Sequence, residues 1–145
     1  MILVLDNIRS THNVGAIFRT AEGAGVSEII LVGITPSPID RFGRERSDMA
    51  KAAVGAQLLV PWKYFETNDE AIEYLRERAD TTIALEQTAQ SVDYKSLAPL
   101  EDTSRAALVV GNEIDGVSDA WLEVSHHHCE IPMQGEKESL NVSTA

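Results

Sequence analysis

Three groups of residues have the types and spacings from which a reactive site can be built. The first is Asn13, Gly15 and Arg19. Over 13–25 the apolar residues Val14, Ile17, Phe18, Ala21 and Ala24 recur at helical spacing, with Asn13 as the expected N-cap and Gly25 as the stop. On that helix Gly15 and Arg19 are i, i+4 neighbours off the apolar stripe, and Arg19 leans back over a residue without a side chain. A helical Gly costs roughly 1 kcal/mol relative to Ala. Two explanations stand: tight helix packing with Arg19 in a surface ion pair, or room for a sugar or phosphate gripped by the planar guanidinium.

The second group lies in Leu108-Val-Val-Gly-Asn-Glu-Ile-Asp-Gly-Val-Ser118, a buried-strand pattern running into a turn bounded by Gly111 and Gly116. Glycines there let a ligand approach the main chain. Glu113 at such a strand end either orients Arg19 or Asn13 or stands in solvent. Neither G-x-G-x-x-G nor G-x-x-x-x-G-K-[ST] occurs, which removes the main support for dinucleotide or nucleoside-triphosphate binding. The third group closes the chain: an apolar run to Met133, a polar loop through Gly135, then Ser139-Leu-Asn-Val-Ser143. This is the exposed end of a buried strand, where open α/β sheets bind ligands.

Short runs rich in Ile, Val and Leu at 2–5, 28–32, 57–60, 82–85, 106–110 and 129–131 predict strands covered on both faces. Helical patterns fall between them, at 13–25, 47–54, 68–78 and 118–124, the last three opened by Ser47, Asn68 and Ser118 as caps. The fold class is therefore α/β, a mostly parallel sheet flanked by helices, in a single domain over 1–145. Residues 33–46 and 87–103 are read as loops.

The net charge of −11 argues against nucleic acid at first sight, since phosphate binding rests on Lys and Arg. The charge is uneven: residues 1–63 hold seven Lys/Arg against six acids, residues 64–145 five against seventeen. The local patch of Arg41, Arg44, Arg46 and Lys51 is a candidate for phosphate contact, or a solvated surface. Met1–Leu5 is apolar but ends at Asp6 without a basic flank, so neither signal peptide nor membrane span is expected and a cytoplasmic location is. The lone Cys129 receives no role. His126-His-His-Cys129 does not predict a metal site, because adjacent strand residues point to opposite faces. Trp62, Tyr64 and Phe65 read as core or subunit interface ahead of an RNA-stacking face.

Taken together and in order, Asn13-x-Gly15-x-x-x-Arg19, Gly111-x-Glu113-x-x-Gly116 and Ile131-Pro-Met-x-Gly135 with Ser139-Leu-Asn-Val-Ser143 resemble the three motifs of the SpoU (TrmH-like) RNA ribose 2′-O-methyltransferases of the SPOUT superfamily. Ala84-Leu-Glu-Gln-Thr88 resembles the segment those proteins place beside the cofactor. The resemblance implies a SPOUT-type α/β knot, a deep C-terminal trefoil against the general avoidance of knots. It also implies a final helix, missing from this chain, that completes the knot and much of a homodimer interface. It implies S-adenosylmethionine as cofactor, cradled around Leu85, Glu86, Gly111, Ile131, Met133 and Leu140, with no metal. Asn13, Arg19, Glu113, Ser139 and Asn141 match the family's functional polar positions. The implied substrate is tRNA or rRNA, with Arg9, Arg41, Arg44, Arg46 and Lys51 as the phosphate-contacting set.

A sulfonium methyl group is already activated, so its transfer to a ribose hydroxyl requires in-line positioning and loss of a proton. Arginine, with a pKa of roughly 12.5–13.8, is a poor general base, which assigns Arg19 to alkoxide stabilisation and phosphate anchoring. Two alternatives remain open: a knotted RNA-binding protein without catalysis, and a small nucleotide-binding α/β module.

Overall fold

The computed structural model describes residues 1–97 and 103–145; residues 98–102, within the loop read at 87–103, lie outside the described residues. Among the described residues seven strands form one sheet: β1 (Ile2–Asp6), β2 (Glu28–Val32), β3 (Trp62–Phe65), β4 (Thr81–Leu85), β5 (Val92–Asp93), β6 (Ala106–Val110) and β7 (His127–Glu130). Their order is β3-β2-β1-β6-β4-β7-β5, and every pairing is parallel. Among the described residues four α-helices cover it: α1 (Thr11–Gly23), α2 (Ser47–Ala53), α3 (Asn68–Arg76) and α4 (Asp119–Val124).

Strand alternation divides the core. Leu5, Ile29, Leu31 and Val110 pack with Val14, Ile17 and Phe18 of α1 and Met49 and Ala53 of α2. Val4, Ile30, Val32, Ala107 and Val109 turn the other way, against Ala71, Ile72 and Leu75 of α3 and Trp121 of α4. Burial on both faces explains the continuous apolar runs, as expected of a parallel sheet.

Several expected boundaries change. Ser10, not Asn13, caps α1, its hydroxyl accepting from the Asn13 amide at 3.2 Å. Arg46 occupies the cap position of α2, so Ser47 is its first residue. Thr67 forms a capping box with Glu70 at α3. Asn68 instead accepts from the Trp121 indole at 2.9 Å and donates to Ser118 Oγ at 3.0 Å, drawing α3 against α4. Ser118 keeps the cap position of α4, but its side chain makes no capping bond. Helix α1 ends at Gly23, and Gly25, with φ 72°, turns the chain after it.

The strand expected at 57–60 is a 3₁₀ turn, Ala56–Leu58. Gln57 and Val60 are buried while Leu58 and Leu59 are exposed, a helical period that four apolar-rich residues cannot distinguish from a strand. The edge strand is β3 instead. Trp62 packs on one core, Phe65 on the other, and the Tyr64 hydroxyl donates to the Gly33 carbonyl at 2.7 Å. Among the described residues no helix is long and apolar enough to cross a membrane.

Candidate active site

Strands β6, β4 and β7 lie side by side, and their C-terminal ends open into a cavity of about 300 Å³. That size falls at the lower end of the range for small-molecule sites. Leu85 and Glu86 enter from the end of β4, Val110 to Glu113 from β6, and Glu130 and Ile131 from β7. Met133, Ser139 and Leu140 of the terminal segment close the remaining side. All six residues implied as the cofactor cradle, Leu85, Glu86, Gly111, Ile131, Met133 and Leu140, therefore border one space.

The loop after β6 is held by its own hydrogen bonds. Asn112, buried, pairs its backbone N–H and C=O with Gly116 and accepts the amides of Ile114 and Asp115 at its Oδ1, at 2.8 and 3.2 Å. A Cβ on Gly111 would collide with the Gly116–Val117 peptide, so the residue must be glycine for the loop to fold back this closely. Glu86 bonds the same loop: one carboxylate oxygen accepts the Val117 amide at 2.8 Å and the other the Gln87 amide at 2.9 Å. Asp6, buried at the end of β1, accepts the Ser118 amide at 2.7 Å. Glu86 and Asp6 thus serve as anchors for backbone N–H groups, and the loop is preorganised.

Asn13 and Glu113 meet at the cavity's edge. With Ser10 taking the cap, the Asn13 side chain is free to donate from Nδ2 to Glu113 Oε1 at 2.6 Å. Glu113 is exposed yet meets Asn13, so it is both a loop carboxylate at the surface and the partner of Asn13, and among the described residues it makes no hydrogen bond or ion pair with Arg19. Arg19 stands exposed on α1 and does not border the cavity. Gly15 faces α2: a Cβ there would sit 2.6 Å from the Met49 carbonyl oxygen and 2.8 Å from Ala52 Cβ. Tight helix packing, not space for a ligand, accounts for this glycine.

Ser139 lines the cavity, whereas the exposed Asn141 turns back on its own segment, its Oδ1 accepting from the Ser143 amide at 2.9 Å and hydroxyl at 2.7 Å. Arg9, Arg41, Arg44 and Lys51 are exposed and Arg46 is half-buried, all outside the cavity.

Sequence reading missed Ile114, Glu130 and Glu138 as lining residues, and named the segment of Gln87 without assigning that residue a place in the site. Gln87 joins the two walls, donating from Nε2 to the Glu138 carbonyl at 2.8 Å. For Gln87 the available signal was its position just after the strand expected at 82–85. The lining is also one-sided in charge: Glu86, Glu113, Glu130 and Glu138 border it, and no Lys or Arg does. Among the described residues no His, Cys, Asp or Glu cluster suits a metal ion. His126 Nδ1 accepts the Thr82 amide at 3.0 Å, and His128 contacts Leu122 O and Thr88 Oγ1 at 3.0 and 3.2 Å, so these rings serve strand and helix ends.

Comparison with known proteins agrees with this geometry. The sequence profile of the SpoU rRNA Methylase family matches residues 1–145. A 23S rRNA (guanosine-2′-O-)-methyltransferase of Xylella fastidiosa is 32% identical, over 100% of this chain and 54% of its own length. A tRNA (guanosine(18)-2′-O)-methyltransferase of Escherichia coli is 28% identical, over 100% of this chain and 58% of its own. The crystal structure of an AdoMet-bound rRNA methyltransferase from Sinorhizobium meliloti superposes with a TM-score of 0.82 at 30% identity, over 99% of this chain and 51% of that one. The chain thus spans about half the length of the curated relatives it matches. With the profile covering every residue, the chain belongs to the SpoU methylase family.

Proposed function

We propose that this chain is the catalytic part of an S-adenosylmethionine-dependent methyltransferase that modifies a ribose 2′-hydroxyl of tRNA or rRNA. The observation that carries the reading is the cavity itself: a backbone-rich cradle at the ends of β4, β6 and β7, lined by four carboxylates and no cation. Such a lining suits a ligand bearing a sulfonium and an ammonium, and it disfavours a nucleoside phosphate, whose charge demands Lys, Arg or a free helix N-terminus. That contrast separates the reading from a nucleotide-binding module. When bound, S-adenosylmethionine supplies an electrophilic methyl group. The groups around Gly111, Ile131, Met133 and Leu140 would hold it, and the lining needs no metal ligand set.

The Asn13–Glu113 pair and Ser139 border the place where an acceptor hydroxyl would enter. Arg19, exposed on the same helix as Asn13 and outside the cavity, serves as a phosphate anchor for the substrate in place of the alkoxide stabilisation expected from the sequence. The relatives named for 23S rRNA and tRNA guanosines support an RNA ribose as acceptor. Arg9, Arg41, Arg44, Arg46 and Lys51 form the phosphate-contacting set. The reading includes the knotted C-terminal segment, a single catalytic domain, a homodimer and cytoplasmic work.

Calorimetry with S-adenosylmethionine and with ATP tests the proposal. Binding of the first and none of the second is expected; the absence of S-adenosylmethionine binding overturns it. Transfer of a labelled methyl group to tRNA or rRNA, mapped to a 2′-O position, separates an enzyme from an inactive RNA-binding protein.

A further inference from the structure

The turn between β2 and α2, which carries part of the phosphate-contacting set, also holds Phe42, to which the proposed chemistry gives no role. Asp40 fastens it: its Oδ1 accepts the amides of Phe42 and Arg44 at 2.8 and 2.9 Å, and its Oδ2 the Arg44 Nε at 2.9 Å. The Arg44 amide and guanidinium hold the Asp40 carboxyl below its ordinary range. Backbone bonds from Asp40 to the Arg44 carbonyl at 2.8 Å and from Arg46 to the Pro38 carbonyl at 2.9 Å close the base, and Arg46 Nε donates to the Ser37 carbonyl at 3.0 Å. Gly43 takes φ 78° at the apex. The loop is a built tip. It presents Phe42 to solvent, 65% exposed.

Two guanidiniums flank that ring, Arg41 at 4.8 Å and Arg44 at 5.1 Å from its centroid. Arg44 is neutralised by Asp40 at 2.9 Å, whereas Arg41, among the described residues, makes no hydrogen bond or ion pair. A rigid exposed aromatic beside an uncompensated arginine is the composition of a platform on which nucleobases stack. Charge distinguishes the occupant. The tip belongs to the basic patch of a chain with net charge −11, so the unpaired Arg41 offers beside the ring a charge complementary to phosphate, as the acidic remainder of the chain does not. Bases of an A-form duplex are not open to such a ring, whereas those of loops and bulges are.

We propose that Phe42 is a stacking contact for an unpaired base of the RNA substrate, with Arg41 meeting an adjacent phosphate. This rests on the RNA reading given above and adds a residue that reads strand state. Binding of the full chain to a fluorescein-labelled RNA hairpin with a seven-nucleotide loop is compared with binding to a blunt duplex of equal length. Phe42→Ala and Phe42→Leu should weaken hairpin binding about 5- to 150-fold, the range for loss of one stacked base, with little change for the duplex. Phe42→Trp should restore affinity, and its fluorescence should be quenched on binding. Arg41→Ala should lower the salt slope by about one. Hairpin affinity unchanged in Phe42→Ala, or equal losses on hairpin and duplex, overturns the inference. So does a change of oligomeric state in Phe42→Ala without a loss of RNA binding, which makes the tip a protein interface. Calorimetry with S-adenosylmethionine on the same variants keeps the two claims apart: intact cofactor binding with unchanged hairpin affinity removes only the stacking contact. Absent cofactor binding with a Phe42-dependent hairpin affinity removes only the methyltransferase reading.

Discussion

Asn13 and Glu113, separated by one hundred positions, meet through a 2.6 Å hydrogen bond that ties the first turn of α1 to the loop after β6. Each side chain depends on a distant arrangement: Asn13 on Ser10 having taken the cap, Glu113 on the tight Gly111–Gly116 loop. If the pair positions the acceptor hydroxyl, Asn13→Ala and Glu113→Ala should each lower kcat/KM for methyl transfer by about 100-fold, the cost of a small misplacement. The double variant should be little worse than either single one, because coupled residues fail together. S-adenosylmethionine affinity should change little. Fully additive losses would show that the two residues act independently.

Two glycines matching the same family motifs should respond differently to the same change. In Gly111→Ala the new methyl meets the Gly116–Val117 peptide, which forms the cavity wall, so S-adenosylmethionine binding by calorimetry should drop out of the measurable range. In Gly15→Ala it meets α2, 2.6 Å from the Met49 carbonyl. Overpacking of this kind costs roughly 1–3 kcal/mol. Urea denaturation should report that loss while cofactor affinity stays near wild type. Loss of cofactor affinity in Gly15→Ala without destabilisation would return the glycine to a ligand role.

The α/β class and parallel sheet were legible because two-sided burial leaves continuous apolar runs such as Glu28–Val32 and Ala106–Val110. Caps were less so. Ser10, Asn13, Thr67 and Asn68 are all good cap types, and only three-dimensional competition decides that Ser10 and Thr67 cap while Asn13 and Asn68 reach across to Glu113 and Trp121. Residues 57–60 were misread because four residues, three of them apolar, are too few for sequence to separate the helical period the structure shows from an extended one. For the site, Leu85, Gly111, Ile131 and Met133 were reached by resemblance to a known family; spacing alone indicated only ligand-facing strand ends. The carboxylate lining was hidden because Glu86, Glu113, Glu130 and Glu138 come from separate segments of the chain. Phe42 was passed over because an aromatic in a loop carries no periodic signal.

Cys129 lies buried on β7, and burial pushes its thiol pKa up. A raised folded value means that the fold favours the neutral thiol. The associated stability is fully present below the unfolded value of roughly 8.5 and is lost as pH rises through the folded value. Iodoacetamide at pH 8 should therefore label the native chain at least about tenfold more slowly than the urea-unfolded chain. Stability should decline above about pH 8.5, and this part of the decline should vanish in Cys129→Ala. Native labelling as fast as unfolded labelling would place the thiol at the surface.

Glu86 offers the sharpest test of how the cavity is held open. Its carboxylate accepts two backbone N–H groups, from Val117 on the β6 loop and from Gln87 on its own strand end. Gly116 is close enough that a Cβ there would strike the carboxylate, so glycine lets the loop approach Glu86. Glu86→Gln keeps the shape but replaces one acceptor with an NH₂ group aimed at a backbone N–H. Where the part-buried Val117 amide loses its acceptor, it is left unpaired or the loop moves, at a cost of about 1–3 kcal/mol; the exposed Gln87 amide can turn to water. If that cost falls on the loop in the bound state, S-adenosylmethionine affinity should drop roughly 5- to 150-fold. Global stability in urea should fall by less, because Asp6 still anchors the Ser118 amide from β1. Glu86→Ala, which leaves both amides facing a space large enough for water, should be the milder of the two if electrostatic repulsion dominates, and the harsher if shape does. Unchanged affinity in both variants would mean that the Gly111–Ser118 loop holds its form without Glu86 and that the carboxylate is dispensable to the cavity.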